Sequence, residues 1–190
     1  MKVITVEHTP DSTLSAQLGA DSAILRPGEP VFVADPPEAW RFRVIPALRI
    51  SRLGMHIAAG NVIRHCDSMT ALLVTSPAVP FAGIPDGLID RSFSPGKNME
   101  LTPGTYEAYH ELAVKTSRIG GSTLCEKSLR FSFAALEADK AIAQLSQWCT
   151  FRTGDLIVFA DAAVDLGTPV LNTAATVCLD GAEILNVRIK

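Results

Sequence analysis

Apolar and polar residues alternate over short runs along most of this chain, and that period of two marks strands. Lys2–Val6 alternates and predicts an opening strand. Thr9–Ala20 is small and polar, which predicts a loop or one weak helical turn. Arg26-Pro27-Gly28-Glu29 is a turn signal between the apolar runs Ala23–Leu25 and Val31–Val33, and Asp35-Pro36-Pro37 is a second break. Phe42–Leu53 reads as a strand but contains Pro46, which has no N–H to give to a ladder. The strand is therefore bulged, interrupted or at an edge there. Thr70–Thr75 reads as a buried strand, and Ser76–Gly87, with Pro77, Pro80 and Pro85, as a loop.

The second half changes period twice. Thr105–Lys115 predicts a short helix with Thr102 or Thr105 as its cap. Ile119-Gly120-Gly121-Ser122 is a turn, and Leu129–Phe133 alternates as a strand. Leu136–Cys149 carries Leu136, Ala138, Ile142, Leu145, Trp148 and Cys149 near helical spacing, so it predicts the main helix, with those large side chains in the core. Three strands follow at Asp155–Ala160, Ala174–Leu179 and Glu183–Ile189, the last two joined by the hairpin signal Asp180-Gly181. The pattern predicts a β-rich α+β fold, with one main helix over about 136–149 and a second short one over about 105–115. A single domain is expected over 1–190, with neither internal repeats nor low-complexity segments.

Composition narrows the function classes. With 190 residues, 47% hydrophobic and 19% charged, the chain can build a real core. A net charge of −3 with scattered Lys and Arg argues against a nucleic-acid partner. No apolar run is long enough to span a bilayer and no apolar signal region opens the chain, so a cytoplasmic protein without membrane contact is expected. Cys66, Cys125, Cys149 and Cys178 are far apart and form no Cys-x-x-Cys pair. Reduced, mostly buried thiols are expected rather than disulfides or a zinc site.

Four blocks together resemble the fumarylacetoacetate hydrolase family in its compact bacterial form. They are Asp21-Ser-Ala-Ile-Leu-Arg-Pro-Gly-Glu-Pro-Val-Phe, Leu48-Arg-Ile-Ser-Arg-Leu-Gly-Met-His-Ile, the helix from Ala138 running into Thr153-Gly-Asp-Leu-Ile, and Gly181-Ala-Glu-Ile-Leu-Asn-Val-Arg-Ile-Lys. They cover about half of the chain. The resemblance implies a mixed β-roll, a homodimer, and cleavage or decarboxylation of diketo acids with Mg²⁺ or Mn²⁺ as Lewis acid. It also implies a metal held by a Glu-x-Glu pair on one strand and a later Asp. The i, i+2 spacing puts both carboxylates on one face of a strand.

Residue by residue, that chemistry does not carry over. The two glutamates fall on Arg43 and Ile45, the later aspartate on Val62, and a family lysine on Gly87, whereas Asp67, Asp90 and Ser92 remain recognisable. The N-terminal segment, about residues 1–20, is shortened and diverged. The Thr-Gly-Thr-Pro loop is replaced by Phe159-Ala-Asp-Ala-Ala163, and a hairpin before the main helix is missing. No metal ligands and no cofactor are therefore expected. His65, Asp67 and Asp90 are the candidate catalytic groups of a rebuilt keto-acid hydrolase or decarboxylase site, and Arg43, Arg91 and Lys97 the candidate ligand-binding groups. Against that stands a non-catalytic scaffold or binding protein, as a homodimer or in a heteromer with an active paralogue. His8, His56 and His110 are expected to be isolated surface histidines.

Overall fold

The computed structural model describes residues 1–11, 13–79 and 88–190. Gly87, and with it the position of the family lysine, lies outside the described residues.

The first sheet is assembled around the longest apolar runs. Strands β1 (Val3–His8), β2 (Leu14–Gly19), β3 (Trp40–Ile50), β4 (Cys66–Pro77), β5 (Phe93–Pro95) and β9 (Leu156–Phe159) lie in the order β2-β1-β9-β3-β4-β5. Two short strands join from the side: β6 (Met99–Glu100) pairs with β4, and β10 (Val164–Gly167) with β3. The second sheet has the order β12-β11-β7-β8, from β7 (His110–Arg118), β8 (Thr123–Phe131), β11 (Thr173–Leu179) and β12 (Ala182–Ile189). A parallel bridge between Val31 and Ile189 links the 24–33 segment to the second sheet.

β3 and β4 form the spine, paired antiparallel from Trp40↔Pro77 to Ile50↔Cys66. Pro46 does not break β3 or push it to an edge. On its other flank β3 changes partner, from β10 at Phe42–Val44 to β9 at Ala47–Arg49. The Ile50 N–H donates to Asp155 O on that flank, and the period of two aims position 46 the same way. The missing donor falls in the gap between the two partners, so the interruption is confined to one side.

Alternation divides each strand of the first sheet between two apolar layers. Ile4, Val6, Phe42, Val44, Leu48, Ile50, Ala71, Leu73, Ile157 and Phe159 join one cluster with Leu112, Val114, Ala175, Val177 and Leu179 of the second sheet. Val3, Ile45, Ala47, Leu72, Val74, Leu156 and Val158 point the other way, into a smaller cluster closed by Ala23 and Phe93.

Two α-helices complete the fold of the described residues. α1 spans only Pro103–Glu107, opened by a reciprocal capping box between Thr102 and Thr105. The helix expected to run to Lys115 stops there because His110–Arg118 is β7, where His110, Leu112 and Val114 alternate into the core. That alternation overrode the helical composition. α2 spans Ala138–Ser146, shorter than the predicted 136–149, with Ala138, Ala141 and Ile142 buried. Ser146 ties it down, its hydroxyl accepting from the Ile57 N–H at 2.8 Å. Trp148 lies beyond the helix and is 87% exposed, so it is not a core residue.

Thr9–Ala20 is likewise not a loop throughout. Leu14–Gly19 pairs antiparallel with β1, from Leu14↔His8 to Gly19↔Val3. It is an edge strand with little burial, which is why its composition is polar. The Asp180-Gly181 turn is a tight hairpin with φ of 51° and 79°, as the dipeptide predicted. Among the cysteines only Cys66 is buried; the other three are half-buried and all are free thiols.

Candidate functional site

Arg43 and Ile45 share one face of β3, as their spacing requires. Antiparallel pairing sets Val74 of β4 opposite Arg43 and Leu72 opposite Ile45. Ile45 and Leu72 are fully buried and Val74 nearly so. The Phe93 ring closes the face from β5. It packs so tightly over Gly19 that a Cβ at that glycine would stand 2.6 Å from Cε2 of the ring. Thr5, Gln17, Gly19, Arg43, Ile45, Val74 and Phe93 enclose a cavity of about 20 Å³, room for about one water molecule.

This face does not fit a divalent cation. Mg²⁺ and Mn²⁺ take oxygen donors, usually carboxylates, whereas the side chains here are a guanidinium, aliphatics and an aromatic ring, with the neutral oxygens of Thr5 and Gln17 and no carboxylate. Val62, the counterpart expected for the third ligand, is on neither β3 nor β4. It sits in the tight turn over Ala59–Arg64, buried in the main cluster with α2. Among the described residues no three His, Cys, Asp or Glu side chains stand close enough to hold a metal ion.

The remaining candidates are dispersed. Asp67 pairs with Arg49 at 2.8 Å and accepts from the Ser68 hydroxyl at 2.8 Å. Six residues of strand separate the Ser68 end of β4 from the Val74 end opposite Arg43, about 20 Å at the rise of an extended chain. His65 caps the turn before β4, with a buried Nδ1 that has no partner among the described residues. Its neighbour Cys66 is buried, and burial, with the Asp67 carboxylate second, pushes its thiol up to about 12. That leaves almost no thiolate nucleophile near neutral pH. Asp90 and Arg91 are exposed, Arg91 with φ of 59°. Lys97 is exposed and its backbone N–H donates to Ile184 O. Ser92 is buried, and its hydroxyl has no partner among the described residues. Arg43, His65, Asp67 and Asp90 are thus not brought into one pocket.

Two histidine–aspartate pairs are present that sequence reasoning missed. His110 is 3% exposed, with Nδ1 at 2.7 Å from Asp180 Oδ2 and Nε2 at 2.6 Å from Thr105 O. It is a buried tie between α1, β7 and the last hairpin, not a surface residue. His8 at the end of β1 has Nδ1 at 2.7 Å from Asp161 Oδ2, and Asp161 Oδ1 also accepts from the His8 N–H at 3.0 Å. The partners in the two pairs are 70 and 153 residues apart, so no local spacing could reveal either one. The third histidine expected at the surface, His56, is exposed and meets Gln147 at 3.0 Å.

No sequence-family model matches the chain, and no curated protein matches it in sequence. Solved structures do match its fold. A fumarylacetoacetate hydrolase family protein from Yersinia pestis superposes with a TM-score of 0.75 at 14% identity, covering 100% of this chain and 92% of its own. Fumarylpyruvate hydrolase from Pseudomonas aeruginosa, solved with Mn²⁺ and pyruvate, gives a TM-score of 0.74 at 13% identity over 100% and 89%. 5-Carboxymethyl-2-hydroxymuconate delta-isomerase from Mycobacterium smegmatis gives 0.76 at 16% over 99% and 76%. The chain has the fold of the fumarylacetoacetate hydrolase family.

Proposed function

We propose that this chain is a non-catalytic relative on the fumarylacetoacetate hydrolase scaffold, one that binds a small ligand or a protein partner and does not run metal-dependent C–C bond chemistry. One observation carries the reading: the face of β3 and β4 around Arg43 and Ile45 is a closed apolar layer with a cavity of about 20 Å³. An enzyme of the Mn²⁺-and-pyruvate kind represented by the Pseudomonas aeruginosa structure needs oxygen ligands and an open face for its substrate. Here an introduced carboxylate would be a buried charge with the Arg43 guanidinium as its one near cation among the described residues.

The test is an acylpyruvate panel assayed with Mg²⁺ and Mn²⁺, run beside a metabolite melting-shift screen. The reading expects no metal-dependent turnover and at least one stabilising ligand. Turnover abolished by a chelator would overturn it. Co-purification of an active paralogue from the native cell would identify the partner as the other half of a heteromer.

A further inference from the structure

On the opposite face of the first sheet from Arg43 and Ile45 lies a cleft of about 430 Å³, lined by His8, Leu14, Leu136, Glu137, Lys140, Asp161 and their neighbours. The elements that build it converge from far apart in sequence. His8 and Leu14 are directly paired at the turn end of the β1–β2 hairpin. Asp161 sits in the turn after β9, and Glu137 and Lys140 open α2.

The His8 ring is fixed rather than free. Asp161 takes its Nδ1 at 2.7 Å and its backbone N–H at 3.0 and 3.3 Å. Nε2 has no hydrogen-bond partner among the described residues, and the side chain is 34% exposed at the cleft wall. A carboxylate on Nδ1 sets the tautomer with Nε2 as acceptor. Glu137 is held at φ 50°, ψ 36° at the start of α2. That left-handed conformation disfavours a residue with a Cβ and concentrates at functional positions. Its carboxylate pairs with the Lys140 ammonium.

We infer that this cleft is the ligand site of the protein, and that it takes a small molecule presenting an amine or hydroxyl from an apolar body. The inference rests on the binding role proposed above and gives it a location and a ligand class. Charge decides the class. Asp161 and Glu137 supply two carboxylates against the single ammonium of Lys140, so with a neutral imidazole the cleft is net negative and rich in acceptors. An anionic keto acid is repelled there, whereas an ammonium or hydroxyl donor meets Nε2, the Glu137 carboxylate and the Gln144 amide oxygen. Leu14, Leu136 and Ala141 receive the apolar body.

The experiment is NMR of histidine-labelled full-length protein, following the imidazole ¹⁵N resonances during titration with benzylamine, benzyl alcohol and benzoate. Benzylamine should move His8 Nε2 saturably and benzyl alcohol should move it less, while benzoate leaves it in place. His65 and His110 should not respond. Glu137→Gln should weaken benzylamine roughly tenfold, the scale of one hydrogen bond to a charged group. His8→Gln should lose benzylamine binding by isothermal titration calorimetry with the circular dichroism spectrum intact, and unchanged binding would overturn the inference. Arg43→Ala should change nothing. Equal or tighter binding of benzoate, or no saturable movement of His8 with any probe, overturns the inference. A separate Mn²⁺ titration of the same sample keeps the two readings apart. Selective broadening of the Ile45 amide would overturn the non-metal reading alone and leave the cleft standing.

Discussion

The two faces of the first sheet are equally dry at their centres and very different in what covers them. Leu48 and Ile45, three residues apart on β3, are both fully buried. Leu48 points into the layer shared with the second sheet and α2, a large cluster that any two-layer fold of this size needs. Ile45 points into a small cluster closed by Ala23 and Phe93. The first face is scaffold. The second is a separate, smaller core. The difference teaches that Arg43, Ile45, Leu72 and Val74 work as a packed set.

The sharpest way to break this comparison is Ile45→Glu. A carboxylate there has neither a metal nor a nearby acid-neutralising partner beyond Arg43, and should cost about 3–5 kcal/mol, read by denaturant unfolding. Added Mn²⁺ should not recover the loss. Next in size, Ile45→Ala and Leu48→Ala should each cost about 2–5 kcal/mol. Similar values show that the small cluster is a true core, while a nearly neutral Ile45→Ala would show that the second face is loose and accessible.

Gly19→Ala tests the lid on that face. The new methyl would collide with the Phe93 ring, 2.6 Å away, at a cost of about 1–3 kcal/mol. The double variant Gly19→Ala/Phe93→Leu should recover most of the loss, and a simple sum of the two single effects would contradict the lid. The smallest effect belongs to Trp148→Ala. At 87% exposure it should change stability by no more than about 0.5 kcal/mol. Its value marks the boundary of the main core at the end of α2.

Much of the fold was legible because β3, β4, β11 and β12 carry their periodicity in short runs and their turns in single dipeptides such as Asp180-Gly181. β2 was hidden because an edge strand with both faces half-wet has no apolar alternation to read. β7 was misread because His110, Glu111 and Lys115 have helix-tolerant chemistry, and only the packing of Leu112 and Val114 into the main cluster shared with the first sheet made them a strand. Pro46 misled for a different reason: whether a missing N–H breaks a strand depends on a partner change 110 residues later in the chain. At the site, the Arg43 and Ile45 substitutions were readable, since i, i+2 spacing alone puts them on one face. The His8–Asp161 and His110–Asp180 pairs were not, because each is made by tertiary contact between residues with no shared motif.

The central claim is that the β3–β4 face excludes a divalent cation. Paramagnetic broadening of backbone amides by Mn²⁺ tests it residue by residue. The account predicts no selective broadening of Val44, Ile45, Leu72 and Val74 beyond that of Val177 and Leu179 in the second sheet. Saturable broadening centred on Ile45 and Leu72 would contradict it.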